Sequence, residues 1–124
     1  MKNKTILIFD DDSNILEVCS IILSDAGYDV RISETSHDII EKVSELTPDV
    51  ILMDNWIPDI GGIEATRLLK KHPEFGKIPV IYISANNDIH TLAENAGADA
   101  YLAKPFDIAD LEETVERMLA KTAE

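Results

Sequence analysis

The feature that most constrains this chain is an alternation of two hydrophobic periods, repeated five times from end to end. Short β-rich runs at residues 5–9, 49–53 and 80–83 are nearly continuous in apolar side chains. Such runs suit parallel strands covered on both faces, because neither side of the strand meets water. The run at 28–32 alternates instead, with Val30 and Ile32 separated by Arg31, which predicts an edge strand with one wet face. A fifth, shorter run lies at 99–102. Between the runs, apolar residues recur at helical spacing. The first predicted helix carries Ile15, Val18, Cys19 and Ile22 and stops at Gly27, a residue suited to the C′ position. The second carries Ile39, Val43 and Leu46 behind a Thr35/Ser36 cap, and the third follows Gly62 with Ile63 and Leu69 turned inward. The fourth, behind an Asn86 or Asn87 cap, carries Ile89, Leu92, Ala93 and Ala96 and ends at Gly97. The last carries Leu111, Val115, Met118 and Leu119, with Asp107 as N-cap and further carboxylates in the first turns to complement the helix dipole.

Strand then helix, five times over with short connections, predicts an α/β fold: a doubly wound parallel sheet with helices on both faces. A chain of 124 residues fits one domain, 1–124, and because it ends near the fifth helix no output domain is expected. Cys19 is the only cysteine, so no internal disulfide can form, and its helical apolar setting reads as buried filler. No basic apolar leader precedes the first strand and no apolar run reaches membrane-spanning length, so a cytoplasmic protein without membrane contact is expected. The 24 acidic and 11 basic residues give a formal charge of −13, a surface that repels nucleic acid. Direct DNA binding by this chain is therefore not expected.

In open α/β sheets, ligands bind beyond the carboxyl ends of the strands, where the strand order reverses. The unusual polar residues fall there. Asp10, Asp11 and Asp12 follow the first strand, Asp54 closes the third, Ser84 follows the fourth and Lys104 the fifth. Asp12 or Ser13 serves as cap for the next helix. If the first and third strands are neighbours, the remaining carboxylates crowd together. Two carboxylates about 4 Å apart repel by roughly 4 kcal/mol at an effective dielectric near 20. That is enough to force one of them towards protonation unless a cation intervenes. Lys104 offers one positive charge against at least three negative ones. All candidate ligands are oxygens and no His–Cys cluster exists, which favours Mg²⁺, with Mn²⁺ as a substitute, over zinc or copper. His37, His72 and His90 lack metal-like spacing and read as surface residues.

Four segments then resemble the receiver domains of two-component response regulators, in order and spacing, over essentially the whole chain. They are Ile6-Leu7-Ile8-Phe9-Asp10-Asp11-Asp12; Asp49-Val50-Ile51-Leu52-Met53-Asp54 with Pro58 and Gly62; Pro79-Val80-Ile81-Tyr82-Ile83-Ser84-Ala85; and Gly97-Ala98-Asp99-Ala100-Tyr101-Leu102-Ala103-Lys104-Pro105-Phe106. The resemblance implies a flavodoxin-like sheet of order 2-1-3-4-5 with five helices. It also implies that Asp54 is the phosphoacceptor. Asp11 would bind the metal directly, Asp10 largely through water, and the Trp56 backbone carbonyl would complete the protein's share. Lys104, Ser84 and Ala85 would meet the phosphoryl group, Tyr101 would be the aromatic switch, and the Lys104–Pro105 peptide would be cis. Implied partners are a sensor histidine kinase or histidine phosphotransfer protein, a downstream protein target, and a second copy through the face of the fourth helix, fifth strand and fifth helix. Three positions depart from the commonest pattern: Ile57 before Pro58, Ser84 in place of threonine, and the bulky Trp56. The Trp56 indole reads either as packing beside the core or as a shield that slows loss of the phosphoryl group.

Two rival readings carry less of the sequence. Asp10-Asp11-Asp12 superficially resembles the start of haloacid-dehalogenase-type phosphatases, but that fold is larger and would leave Asp54 without a task. A receiver-like module that is never phosphorylated would typically lack the acceptor, an acidic-pair member or the lysine, and all are present here. Nucleotide and flavin binding are disfavoured by the lack of a glycine-rich phosphate loop and by the triply acidic turn after the first strand. The chain is accordingly read as a signalling switch and not as an enzyme with a turnover substrate.

Overall fold

The computed structural model describes residues 3–57 and 60–122, so Pro58 lies outside the described residues. Five strands alternate with five helices: β1 (Thr5–Phe9), α1 (Ser13–Asp25), β2 (Asp29–Ser33), α2 (Ile39–Leu46), β3 (Val50–Asp54), α3 (Gly61–Lys71), β4 (Val80–Ser84), α4 (Ile89–Ala96), β5 (Ala100–Ala103) and α5 (Ile108–Thr122). All strand pairs are parallel and the order is β2-β1-β3-β4-β5. The order reverses between β1 and β3, which makes their carboxyl ends the switch point. Among the described residues, no helix is long and apolar enough to cross a membrane.

The strand period of two decides which helices lie where. Ile6, Ile8, Val50, Leu52, Ile81 and Ile83 turn to one face and pack with Leu16, Cys19 and Leu23 of α1 and Leu111, Val115 and Met118 of α5. Leu7, Phe9, Ile51, Met53 and Val80 turn to the other, against Ile39 and Val43 of α2 and Ala65 and Leu69 of α3. A third cluster on that second side joins Tyr82 to Ile89, Ala93 and Ala96 of α4. Both faces are dry, which explains why β1, β3 and β4 are buried along their whole length.

Several local expectations need correction. In α1 the inward set is Leu16, Cys19 and Leu23, while Val18 is 52% exposed. Once Cys19 faces the sheet, positions three before and four after it share its side, and Val18 lies about 100° away around the helix. Ile32 is likewise exposed, because β2 is an edge strand with only β1 beside it and Ser33 is the buried residue at its end. Neither Thr35 nor Ser36 caps α2. Asp38 stands at that position in left-handed conformation, Thr35 Oγ1 accepts from His37 N–H, and the Ser36 hydroxyl accepts from Ile60 N–H across the loop after β3. Nor do Asn86 and Asn87 cap α4. Asp88 holds the cap position, and Asn86 Oδ1 accepts the Asp88 N–H, closing a turn one step too early to cap. Asp12 does cap α1, with Asn14 N–H at 2.9 Å, and Asp107 accepts from Asp110 N–H at 2.8 Å at the start of α5. Burial pushes the Cys19 thiol up to about 11, consistent with inert filler.

Candidate functional site

Parallel pairing of β1 with β3 brings two buried aspartates to one rim. Asp10 follows β1 and is fully buried; Asp54 is the last residue of β3 and nearly so. The exposed Asp11 joins them, and one carboxylate oxygen of each lies within 4.8 Å of the others. Lys104, just past β5, reaches across two strands to meet the buried pair. Its Nζ donates to Asp10 Oδ2 at 3.1 Å and to Asp54 Oδ1 at 2.9 Å. The remaining oxygens are not idle. Asp10 Oδ1 accepts from Asp12 N–H at 2.9 Å, and Asp54 Oδ2 accepts from Trp56 N–H at 3.1 Å.

The electrostatics show an unbalanced site. Burial pushes the Asp54 carboxyl above the usual carboxylate range; the Lys104 hydrogen bond opposes this, and the charge of Asp10 adds to it. Burial also works against the Lys104 ammonium, but its bonds to Asp54 and Asp10 and their charges win, leaving its pKa above the ordinary lysine value. One ammonium thus serves two buried carboxylates, with a third beside them. An all-oxygen donor set in excess of the ammonium it holds fits a hard divalent ion. Asp10, Asp11 and Asp54 are the residues placed to hold it.

The other singled-out residues surround this cluster unequally. Ser84 is buried, its Oγ accepts from Asn86 N–H at 3.0 Å, and its carbonyl takes the Lys104 N–H at 2.8 Å. Ser84, Ala85, Lys104, Asp11, Asp54 and Trp56 line an open cavity of about 380 Å³. The Lys104–Pro105 peptide is cis. Tyr101 stands apart from the cluster, 43% exposed, its ring edge-on to His90 at 5.6 Å. Trp56 is 78% exposed, which overturns packing beside the core as the account of its size. Its indole cannot be buried because Ile57, the next residue, takes the inward place.

Comparison with known proteins settles the family. The response regulator receiver domain matches residues 6–116. The chain belongs to that family. The phosphate regulon transcriptional regulatory protein PhoB of Pseudomonas aeruginosa is 33% identical over 124 residues, covering 98% of this chain and 54% of its own. The receiver chain spans about half the length of the curated relatives it matches first. Among solved structures, a response regulator from Chloroflexus aurantiacus superposes with a TM-score of 0.90 at 32% identity, covering 96% of this chain and 99% of that one. The chemotaxis response regulator CheY4 of Vibrio cholerae gives 0.87 at 25% identity, over 95% and 100%.

Sequence reasoning gave no site role to two residues that this receiver builds into its site. Gly62 packs so tightly that a Cβ there would lie 2.3 Å from the Asp54 carbonyl oxygen and 2.9 Å from Asn55 Cα. Asn55, beside Asp54, takes a hydrogen bond from the buried Tyr82 hydroxyl. A tyrosine inside an otherwise aliphatic strand was the available signal, since a buried phenol needs a partner.

Proposed function

We propose that this receiver accepts a phosphoryl group on Asp54 from a phosphohistidine of a sensor kinase or phosphotransfer protein, with Mg²⁺ bound, and passes the signal on by a change of shape. The observation that carries the reading is the shared ammonium: one lysine between two buried aspartates, with a third acid adjacent. In the transfer, an Asp54 carboxylate oxygen forms the new P–O bond as the donor's P–N bond breaks and the imidazole leaves with the bonding pair. A carboxylate is a weak nucleophile towards an anion, so the protein's part is positioning and charge neutralisation. Asp10, Asp11, Asp54 and the Trp56 carbonyl would hold the Mg²⁺, which neutralises phosphoryl charge when bound. Lys104 would contact one phosphoryl oxygen; the Ser84 hydroxyl and the turn at Ala85 would meet another.

The phosphorylated side chain brings new acceptor oxygens that Ser84 moves to meet. Tyr101 then turns into the space released, and the face of α4, β5 and α5 changes. The outward Tyr101 ring supports this reading, as does the cavity of about 580 Å³ beside it, lined by His90, Glu94, Tyr101 and Arg117. A downstream protein, or a second copy, would read that face. Trp56, exposed at the mouth of the acidic cavity, would screen the acyl phosphate from water. At most, the chain would catalyse its own phosphorylation and dephosphorylation.

Incubation with acetyl phosphate, with and without Mg²⁺, followed by intact mass, tests the reading. A phosphoryl-sized gain that needs Mg²⁺ and vanishes in Asp54→Ala is expected. A gain that persists in Asp54→Ala would overturn it.

A further inference from the structure

Beneath α4 lies a polar group that the chemistry above does not use. Tyr82 is fully buried in β4, and an apolar ring would fill the same space without having to satisfy a hydroxyl. That hydroxyl donates to Asn55 Oδ1. Asn55 is also held twice through its backbone: its N–H donates to Ile83 O at 2.8 Å, and its carbonyl accepts Gly62 N–H at 3.2 Å. The residue between Asp54 and Trp56 therefore has three fixed points, one of them a side chain from the neighbouring strand. The next N–H along, from Trp56, is the one that holds Asp54 Oδ2. The anchor itself is closely packed. The Tyr82 ring packs against Ile89, Ala93 and Ala96 of α4 and sits in register between Met53 and Tyr101.

From this geometry we infer that Tyr82 is a positioning residue for the acceptor turn. Its hydroxyl, acting through Asn55, fixes the Asp54–Asn55–Trp56 segment so that the Asp54 carboxylate and the Trp56 carbonyl face one cation. Tyr82 touches none of the reacting atoms, and the inference rests on the phosphoacceptor reading above. Burial and the charge of Asp54 push the hydroxyl's pKa up to about 12, so it remains a donor near neutral pH. Locking the support of a ligand set on a packed element is the general way such geometry is kept within tolerance.

Trp56 is the only tryptophan and lies within the turn, so its fluorescence reports on the turn directly. The test is titration with MgCl₂, followed by that fluorescence, of the full chain and of Tyr82→Phe, Asn55→Ala and the double variant. Thermal unfolding and acetyl phosphate labelling run alongside. Tyr82→Phe keeps the ring under α4. It is expected to weaken Mg²⁺ binding about three- to tenfold, the scale of one net hydrogen bond. The double variant is expected to be no worse than the weaker single one, as for two ends of one contact. Unchanged Mg²⁺ affinity in Tyr82→Phe, with only a lower melting temperature, would overturn the inference and leave Tyr82 a structural filler. Strictly additive effects would overturn it too. If the wild type neither responds to Mg²⁺ nor gains a phosphoryl group, the functional reading has failed and takes this inference with it. A wild type that does both, matched by Tyr82→Phe, sinks the inference alone.

Discussion

The two ends of the sheet both hold a lysine against aspartate, yet they do opposite things. At the amino end, Lys70 Nζ meets Asp99 Oδ2 at 2.8 Å and donates to Ile78 O, while the same carboxylate oxygen accepts Val80 N–H at 2.9 Å. Charges match one to one and the surplus bonds go to backbone. This is a staple joining α3 to the starts of β4 and β5. At the carboxyl end Lys104 answers two buried aspartates and a third acid stands beside them. That leaves the site with more negative charge than its lysine cancels. An ion pair that closes on itself holds a fold; one left short of positive charge recruits a ligand.

Variants that sort with one end and not the other break or sharpen this comparison. The largest stability effect belongs to the staple. Asp99→Ala strands the Lys70 ammonium and the Val80 N–H, and a loss of about 3 kcal/mol in urea unfolding is expected, with the Mg²⁺ response kept. A variant equally stable to urea would show that the staple contributes nothing. Gly62→Ala should come next. Its methyl would meet the Asp54 carbonyl, so a cost of about 2 kcal/mol is expected, together with impaired phosphorylation. Loss of stability with phosphorylation intact would mean that the start of α3 gives way without moving Asp54.

The smallest effect has the opposite sign. In the folded protein Asp54 keeps its proton to higher pH than in the unfolded chain, so the folded state binds more protons across that window. Its contribution is present in full below the unfolded carboxylate value and lost as pH rises through the folded one. Asp54→Asn, an uncharged isostere, should therefore gain on the order of 1 kcal/mol at neutral pH in metal-free buffer. The gain should shrink towards about pH 4. Equal melting temperatures at both pH values would show that Asp54 is not held against its charge.

The sheet was legible because both of its faces are buried: a continuous apolar run as short as Ile6-Leu7-Ile8-Phe9, followed at once by three aspartates, fits a covered strand and little else. The acidic rim was legible because parallel strands deliver their carboxyl ends to one side, so Asp10, Asp54 and Lys104 needed no knowledge of side-chain contacts. What failed to show depended on those contacts. Val18 and Cys19 are equally apolar, and only the docking angle of α1 chose between them. Thr35, Ser36 and Asn86 are good caps by chemistry, but loop geometry gave their oxygens to other N–H groups. The Tyr82–Asn55 bond and the Gly62 contact depend on how β3, β4 and α3 pack together, and no periodicity records such a pairing.

The excess of negative charge at the carboxyl end is tested most directly by calorimetric titration of Mg²⁺ into the wild type and into Asp11→Asn. Asp11 is exposed, so the substitution leaves the core untouched. One bound Mg²⁺ per chain is expected in the wild type, with affinity more than about tenfold weaker in the variant. Identical binding by the two proteins, or no uptake by the wild type, would contradict the account.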